Sequence, residues 1–248
     1  MKIIILAAGK GERLLSLTRN TPKPLLDMGN GNTLLEEQLE RIKKSGVIDE
    51  VVLVIGFLAE QIEAKIRPLL NESVKIKTLY NPFYDISNNL VSLWFAKHEM
   101  DTDFMITNGD NIFSSDVFAN FAKENKNGIF LSISVKDKYD DDDMKVTIED
   151  NVVTRVSKLI ENADSNAESP GLALINGAKA RRIFKENLEA LVKDKNYVDA
   201  YWLEVFNVLN DKGILVSPWQ FDGQKKWQEV DFHIDIDKVK ALLRIKDI

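Results

Sequence analysis

Met1-Lys2-Ile3-Ile4-Ile5-Leu6 runs without a break into Ala7-Ala8-Gly9-Lys10-Gly11, and no other stretch limits the fold so sharply. An isoleucine-rich run with so little polarity reads as a strand covered on both faces, the pattern of parallel sheets flanked by helices. The glycine turn after it can present backbone N–H groups to an anion. Two cations follow closely. Arg13 can grip phosphate oxygens in bidentate fashion, and Lys23, within Thr21-Pro22-Lys23-Pro24-Leu25, can add a point charge.

The pattern then alternates. Thr33-Leu34-Leu35-Glu36 reads as a capping box, and Leu35, Leu39 and Ile42 form a helical stripe ending near Ser45-Gly46. Val51–Ile55 is a second buried strand, Ile62, Ile66 and Leu69 mark a helix, and Val74–Tyr80 is a third strand. A helix over Asn89–Met100 leads to a fourth strand, Phe104–Thr107, which ends in Asn108-Gly109-Asp110-Asn111. This order predicts an α/β fold with a doubly wound, mostly parallel sheet. Ligands of such sheets sit beyond the carboxyl ends of the strands, so the Gly9 turn and Asp110 are expected on one rim.

From Gly128 the elements shorten. Strands are expected at Phe130–Val135, Lys145–Ile148, Val152–Val156, Gly171–Ile175 and Ile214–Val216. Helices are expected at Lys179–Val192 and Val198–Leu209, with a closing helix from Asp237. The chain reads as one domain over residues 1–248, with 1–127 mainly nucleotide-binding and 128–248 a smaller α+β part for an acceptor. The run Asp140–Asp143 is expected to be a solvated loop, because like charges repel and stay in water; a metal site there is the lesser reading.

A net charge of -6 and a pI near 5.2 argue against broad nucleic-acid binding. The absence of cysteine excludes disulfides and thiolate chemistry, and fits a reducing cytosol. No apolar run reaches membrane-spanning length, so a cytoplasmic protein without a membrane partner is expected. The two histidines, His98 and His233, fit no zinc spacing and are assigned structural roles. Oligomeric state is not legible; a homo-oligomer is compatible with this sequence.

Several residues admit two readings. The Gly9-Lys10-Gly11 turn lacks the third glycine of a dinucleotide fingerprint, since Leu14 stands there, and lacks the ending of a phosphate-binding P-loop. Asp110 is either a strand-end turn residue or a Mg²⁺ ligand. Glu229 and Asp231 would share one face of an extended segment and supply a second carboxylate. Asn88-Asn89 with Ser92 serves either as a helix cap or as polar contacts for a nucleobase edge. Asp199, Tyr201 and Trp202 are either core packing or a pocket for an ammonium group.

Taken together, Leu6-Ala7-Ala8-Gly9-Lys10-Gly11-Glu12-Arg13-Leu14 and Thr21-Pro22-Lys23-Pro24-Leu25-Leu26 resemble the signature of nucleotidyltransferases that activate sugar 1-phosphates and related phosphates with NTPs. The family usually has proline where Ser16 stands. The chain is most similar to the branch that transfers cytidylyl groups to phosphocholine and to phosphonates such as 2-aminoethylphosphonate. Asn81–Asn89, Met144-Lys145-Val146, Ser157-Lys158, Gly171, Val198–Trp202 and Trp227–Asp231 carry that similarity.

The resemblance implies a Rossmann-like nucleotidyltransferase fold, CTP as co-substrate and Mg²⁺ as cofactor. It implies Arg13, Lys23 and Asp110 as the catalytic set, with Asp110 and Asp231 holding the metal. Leu6, Ala8, Gly9, Gly11, Asn88, Asn89 and Ser92 would line the nucleotide site. Lys158, Asp199, Tyr201 and Glu229 would face a phosphorylated or phosphonylated acceptor. Asn111 departs from the hydrophobic or acidic pair that the family places after its metal-binding aspartate. Two rival readings remain: a sugar-1-phosphate uridylyl- or thymidylyltransferase, and a nucleotide-binding regulatory protein without turnover.

Overall fold

The computed structural model describes residues 1–70, 73–124, 126–221 and 226–231. In chain order the strands are β1 (Lys2–Ala7), β2 (Glu50–Ile55), β3 (Lys75–Tyr80), β4 (Phe104–Asn108), β5 (Asn111–Phe113), β6 (Gly128–Ile133), β7 (Lys145–Glu149), β8 (Val152–Ser157), β9 (Ala167–Glu168), β10 (Leu172–Asn176), β11 (Val216–Gln220) and β12 (Trp227–Glu229). The α-helices are α1 (Leu15–Thr18), α2 (Leu34–Ser45), α3 (Ala59–Ile66), α4 (Asn89–Phe95), α5 (Ser115–Phe121), α6 (Ala178–Val192) and α7 (Glu204–Asp211).

Among the described residues the main sheet has seven strands in the order β11-β6-β10-β4-β1-β2-β3. Only β10 runs against the others. A small antiparallel pair, β12-β5, and a three-stranded sheet, β8-β7-β9, flank it. The expected doubly wound α/β architecture is therefore present.

The period-two alternation of β1 explains its central place. Ile4 and Leu6 join Val52, Phe104, Leu93 and Phe184 in a core on one face. Ile3, Ile5 and Ala7 join Leu53, Met105, Leu39 and Ile62 on the other. Each fully buried isoleucine contributes about 1.5–3 kcal/mol, which only a strand covered on both sides can collect. The capping box at Thr33 forms as expected, with both reciprocal bonds to Glu36 present. Gly46 closes α2 in the left-handed conformation (φ 69°), where a Cβ would be strained.

Two expectations fail. The helix expected over Val198–Leu209 begins only at Glu204. Its first residues are stitched instead to the start of α4: Asn88 N–H donates to the Val198 carbonyl at 3.0 Å, and Leu90 N–H to the Ala200 carbonyl at 3.3 Å. Those carbonyls, taken from outside, are not free for a helical ladder. The strand expected at Ile214–Val216 lies further on, at Val216–Gln220, where it pairs with β6. The closing helix from Asp237, and His233, lie outside the described residues. His98 is exposed in the short 3₁₀ turn after α4. Among the described residues no helix is long and apolar enough to cross a membrane.

Candidate active site

Parallel pairing decides the location. Leu6 in β1 lies opposite Asn108 in β4, so the glycine turn and Asp110 leave the sheet side by side. Gly109 N–H donates to the Leu6 carbonyl at 2.8 Å. A Cβ on Gly109 would stand 2.7 Å from the Ala7 Cβ and 2.9 Å from the Leu6 oxygen. Only glycine permits this approach. Gly109→Ala is expected to cost about 1–3 kcal/mol through overpacking, read as a shift in the urea midpoint.

The rim opens into a cleft of about 510 Å³. Leu6, Ala8, Gly9, Gly11, Arg13, Lys23, Asn88, Asn89, Ser92, Asp110, Lys158, Tyr201, Glu229 and Asp231 all line it. Of the residues singled out from the sequence, Asp199 alone does not: it is exposed and outside the cleft wall. The structure also brings in Glu168, which the sequence did not suggest, and Asp142 and Asp143 from the run expected to be a solvated loop.

Lys23 is the centre of the charge arrangement. It is buried, and Pro22 and Pro24 flank it at the start of a tight 3₁₀ turn, Lys23–Leu25. Gly11 (φ +66°) lies against its side chain, where a Cβ would come within 3.0 Å. Lys23 Nζ pairs with Asp110 Oδ2 at 2.8 Å and Asp231 Oδ1 at 2.7 Å. Burial works against its charge, but Asp110 and Asp231 outweigh burial and hold the ammonium above its ordinary pKa. Arg13 Nη1 bridges Asp231 at 2.5 Å and Asp142 at 2.9 Å.

Glu229 and Asp231 stand together as alternation predicts. Antiparallel pairing of β12 with β5 puts Glu229 opposite Asn111, and Val230 N–H donates to the Asp110 carbonyl at 3.0 Å. One carboxylate oxygen from each of Asp110, Glu229 and Asp231 can be chosen so that all three lie within 4.8 Å of one another. Glu229, expected toward the acceptor, thus shares a cluster with the two candidate metal ligands. Burial, with Asp110 and Asp231 nearby, pushes its carboxyl up to about 8. Burial also opposes the charge of Asp231, yet Lys23 and Arg13 hold its carboxyl below the ordinary value. Asp110 Oδ1 is buried with no hydrogen-bond partner. An orphaned carboxylate oxygen beside two more acids is a set of hard oxygen donors, and it fits a small divalent cation such as Mg²⁺.

The asparagines have structural partners. Asn88 caps α4 by accepting from Asn89 N–H at 2.8 Å. Asn89 Oδ1 accepts from Trp202 N–H at 2.8 Å, and Ser92 Oγ accepts from Asn81 Nδ2 at 3.0 Å. Trp202 is fully buried, its indole N–H donating to Asn108 Oδ1 at 2.9 Å, while Tyr201 faces the cleft. Lys158 Nζ stands 5.3 Å from the centre of the Tyr201 ring.

The run Asp140–Asp143 is a turn, but not a wholly solvated one. Asp142 reaches Arg13, and Asp143 pairs with Lys136 at 2.6 Å. Cations brought from elsewhere in the chain overcome the repulsion that local reading emphasised. Lys136 also binds Glu168 at 2.8 Å. Burial raises the Glu168 carboxyl to about 7 despite Lys136. The folded state therefore holds this proton more tightly than the unfolded chain, and the Glu168 contribution to stability is lost as pH rises from about 4.5 toward 7. Glu168→Gln is expected to cancel that loss: urea denaturation at pH 5 and pH 8 will show the variant gaining on wild type at the higher pH.

Comparison with known proteins places the chain in a family. The nucleotidyl transferase family matches residues 2–168. The chain belongs to that family. It is 37% identical over 120 residues to a choline-phosphate cytidylyltransferase of Streptococcus pneumoniae, covering 48% of this chain and 49% of that protein. It is 28% identical over 240 residues to the bifunctional protein GlmU of Methanococcus aeolicus, covering 96% of this chain and 55% of that protein. These matches span about half the length of the two relatives. The solved structure of the CTP:phosphocholine cytidylyltransferase LicC from Streptococcus pneumoniae superposes with a TM-score of 0.75 at 27% identity, over 98% of each chain.

Proposed function

We propose that this family member transfers the cytidylyl group of CTP to a small phosphate or phosphonate, of the phosphocholine or 2-aminoethylphosphonate kind, and releases pyrophosphate. The observation that carries this reading is Lys23, buried between Asp110 and Asp231 at the foot of the glycine turn. The likeness to a choline-phosphate cytidylyltransferase supports the choice of nucleotide and acceptor.

The reaction is an in-line attack by an acceptor oxygen on the α-phosphorus of CTP. Both partners are anions, so the task is alignment and charge neutralisation, not proton removal. Asp110 and Asp231, joined by Glu229, would hold Mg²⁺, which supplies charge neutralisation and a template for the two phosphates. Lys23 and Arg13 now neutralise those carboxylates; released from them, Lys23 turns to the α-phosphate and the attacking oxygen, and Arg13 to the leaving pyrophosphate. Lys158 meets the acceptor phosphate. Tyr201, with a ring face beside the cleft, suits an ammonium-bearing tail.

A screen of acceptors with CTP and Mg²⁺, read by pyrophosphate release, tests the proposal. Turnover with phosphocholine or an aminoalkylphosphonate is the expected result, and silence across such acceptors refutes it. The family signature also admits a second reading, transfer to a sugar 1-phosphate. The same assay with UTP, dTTP and sugar 1-phosphates separates the two.

A further inference from the structure

Behind the rim, Gln38 of α2 is buried, 4% exposed. Its amide nitrogen donates to the carbonyl of Asn108 at 3.1 Å and to that of Asn111 at 2.6 Å. These two carbonyls bracket Gly109-Asp110, the tip that carries the candidate metal ligand. The tip is also held by Gly109 N–H on Leu6, by Val230 N–H on the Asp110 carbonyl, and through side chains by Lys23 on Asp110, Trp202 on Asn108 and Asn111 on the Pro170 carbonyl. Asn111 also pairs with Glu229 across the β5–β12 ladder, so the same amide steadies the strand whose partner leads into Asp231.

We propose that Gln38 is a positioning residue for the cation cluster: one amide, set outside the cleft, fixes the spacing of Asp110 against Glu229 and Asp231. The proposal rests on the reading of that cluster as the Mg²⁺ site. The chemistry singles out this residue type. Two donors from one nitrogen satisfy two carbonyls. Methionine fills similar space with no donor and takes this hydrogen bond from both carbonyls, while an ionised glutamate sets a third acceptor against them. Either change lets the tip move, and metal affinity is sensitive to the groups that orient its ligands.

Mn²⁺ binding followed by electron paramagnetic resonance, alone and with CTP, tests the idea in wild type, Gln38→Met and Gln38→Glu. Asn187→Leu serves as a control. Asn187 is a buried amide of α6 that donates to Ile183 and accepts from Lys212. Folded Gln38→Met is expected to bind Mn²⁺ about 10-fold more weakly, the usual scale for a group that orients metal ligands. Half-maximal pyrophosphate release should need correspondingly more Mg²⁺, with the acceptor KM far less changed. Asn187→Leu should lose stability and keep wild-type Mn²⁺ affinity.

Wild-type Mn²⁺ affinity in the folded Gln38 variants overturns the proposal. So does an equal loss in Asn187→Leu, or failure of both Gln38 variants to fold, which would make Gln38 a residue of the fold alone. Wild type that binds Mn²⁺ with CTP but turns over no acceptor refutes the transfer reading, and leaves the Mn²⁺ series to decide Gln38. Wild type that binds no Mn²⁺ refutes both.

Discussion

Replacing Asp110 with alanine lowers pyrophosphate release by at least ~10²-fold, the scale on which loss of one electrostatic centre is felt in a catalytic site. No other single change is expected to do more. Asp110 stands at the tip of β4, where one oxygen holds Lys23 and the other is buried without a partner. Alanine removes both the lysine contact and the orphaned donor. It also removes a charge that crowds Glu229, since Asp110 helps push the Glu229 carboxyl up. Activity therefore falls far out of proportion to stability, and circular dichroism should report a folded protein. Near-normal turnover in folded Asp110→Ala would refute the placement of the reaction at this cluster.

The second large effect is that of Lys23. Lys23→Met keeps the aliphatic stem and deletes the ammonium, and turnover is expected to fall about as far as in Asp110→Ala. Stability behaves differently here. Without its cation Asp110 loses its ion pair while Asp231 keeps Arg13, and both carboxylates still stand beside Glu229. Breaking a fully buried pair costs about 3–5 kcal/mol, and partial exposure of these acids reduces that to roughly 1–3 kcal/mol. Mg²⁺ should restore more of the unfolding midpoint to this variant than it adds to wild type, because a bound cation replaces the missing charge. A variant that lost stability, kept turnover and ignored Mg²⁺ would mark Lys23 as structural only.

Much of the site was legible because its signals are local. The step from an apolar strand into a glycine turn needs only the first dozen residues. The strand-end position of Asp110 follows from the apolar run before it, and the shared face of Glu229 and Asp231 from their i, i+2 spacing. The capping box at Thr33 involves residues three apart. Each is a short-range rule of backbone geometry, and each holds in the structure.

Where reading failed, the deciding partner was remote. Val198–Trp202 has apolar spacing compatible with a helix, but its backbone groups are bound by Asn88, Asn89 and Leu90, more than a hundred positions earlier. Asp142 looks solvated until Arg13 is brought to it. Asp199 looks equal to Tyr201 in sequence, yet only Tyr201 faces the cleft. Gln38 gave no signal at all, being one polar position on a helix whose partners are two carbonyls of a distant turn.

The amino-acid sequence by itself determined the alternation of strand and helix, the turn that follows β1 and the residue types able to neutralise a polyphosphate, because these depend on neighbours along the chain. Only tertiary structure decided which charges meet. Arg13 and Lys23 reach Asp231 across sequence separations of 218 and 208 residues, and no local propensity spans such distances. The acids that meet them then hold them charged against burial, since the balance between desolvation and a nearby opposite charge exists only once the chain has closed around them.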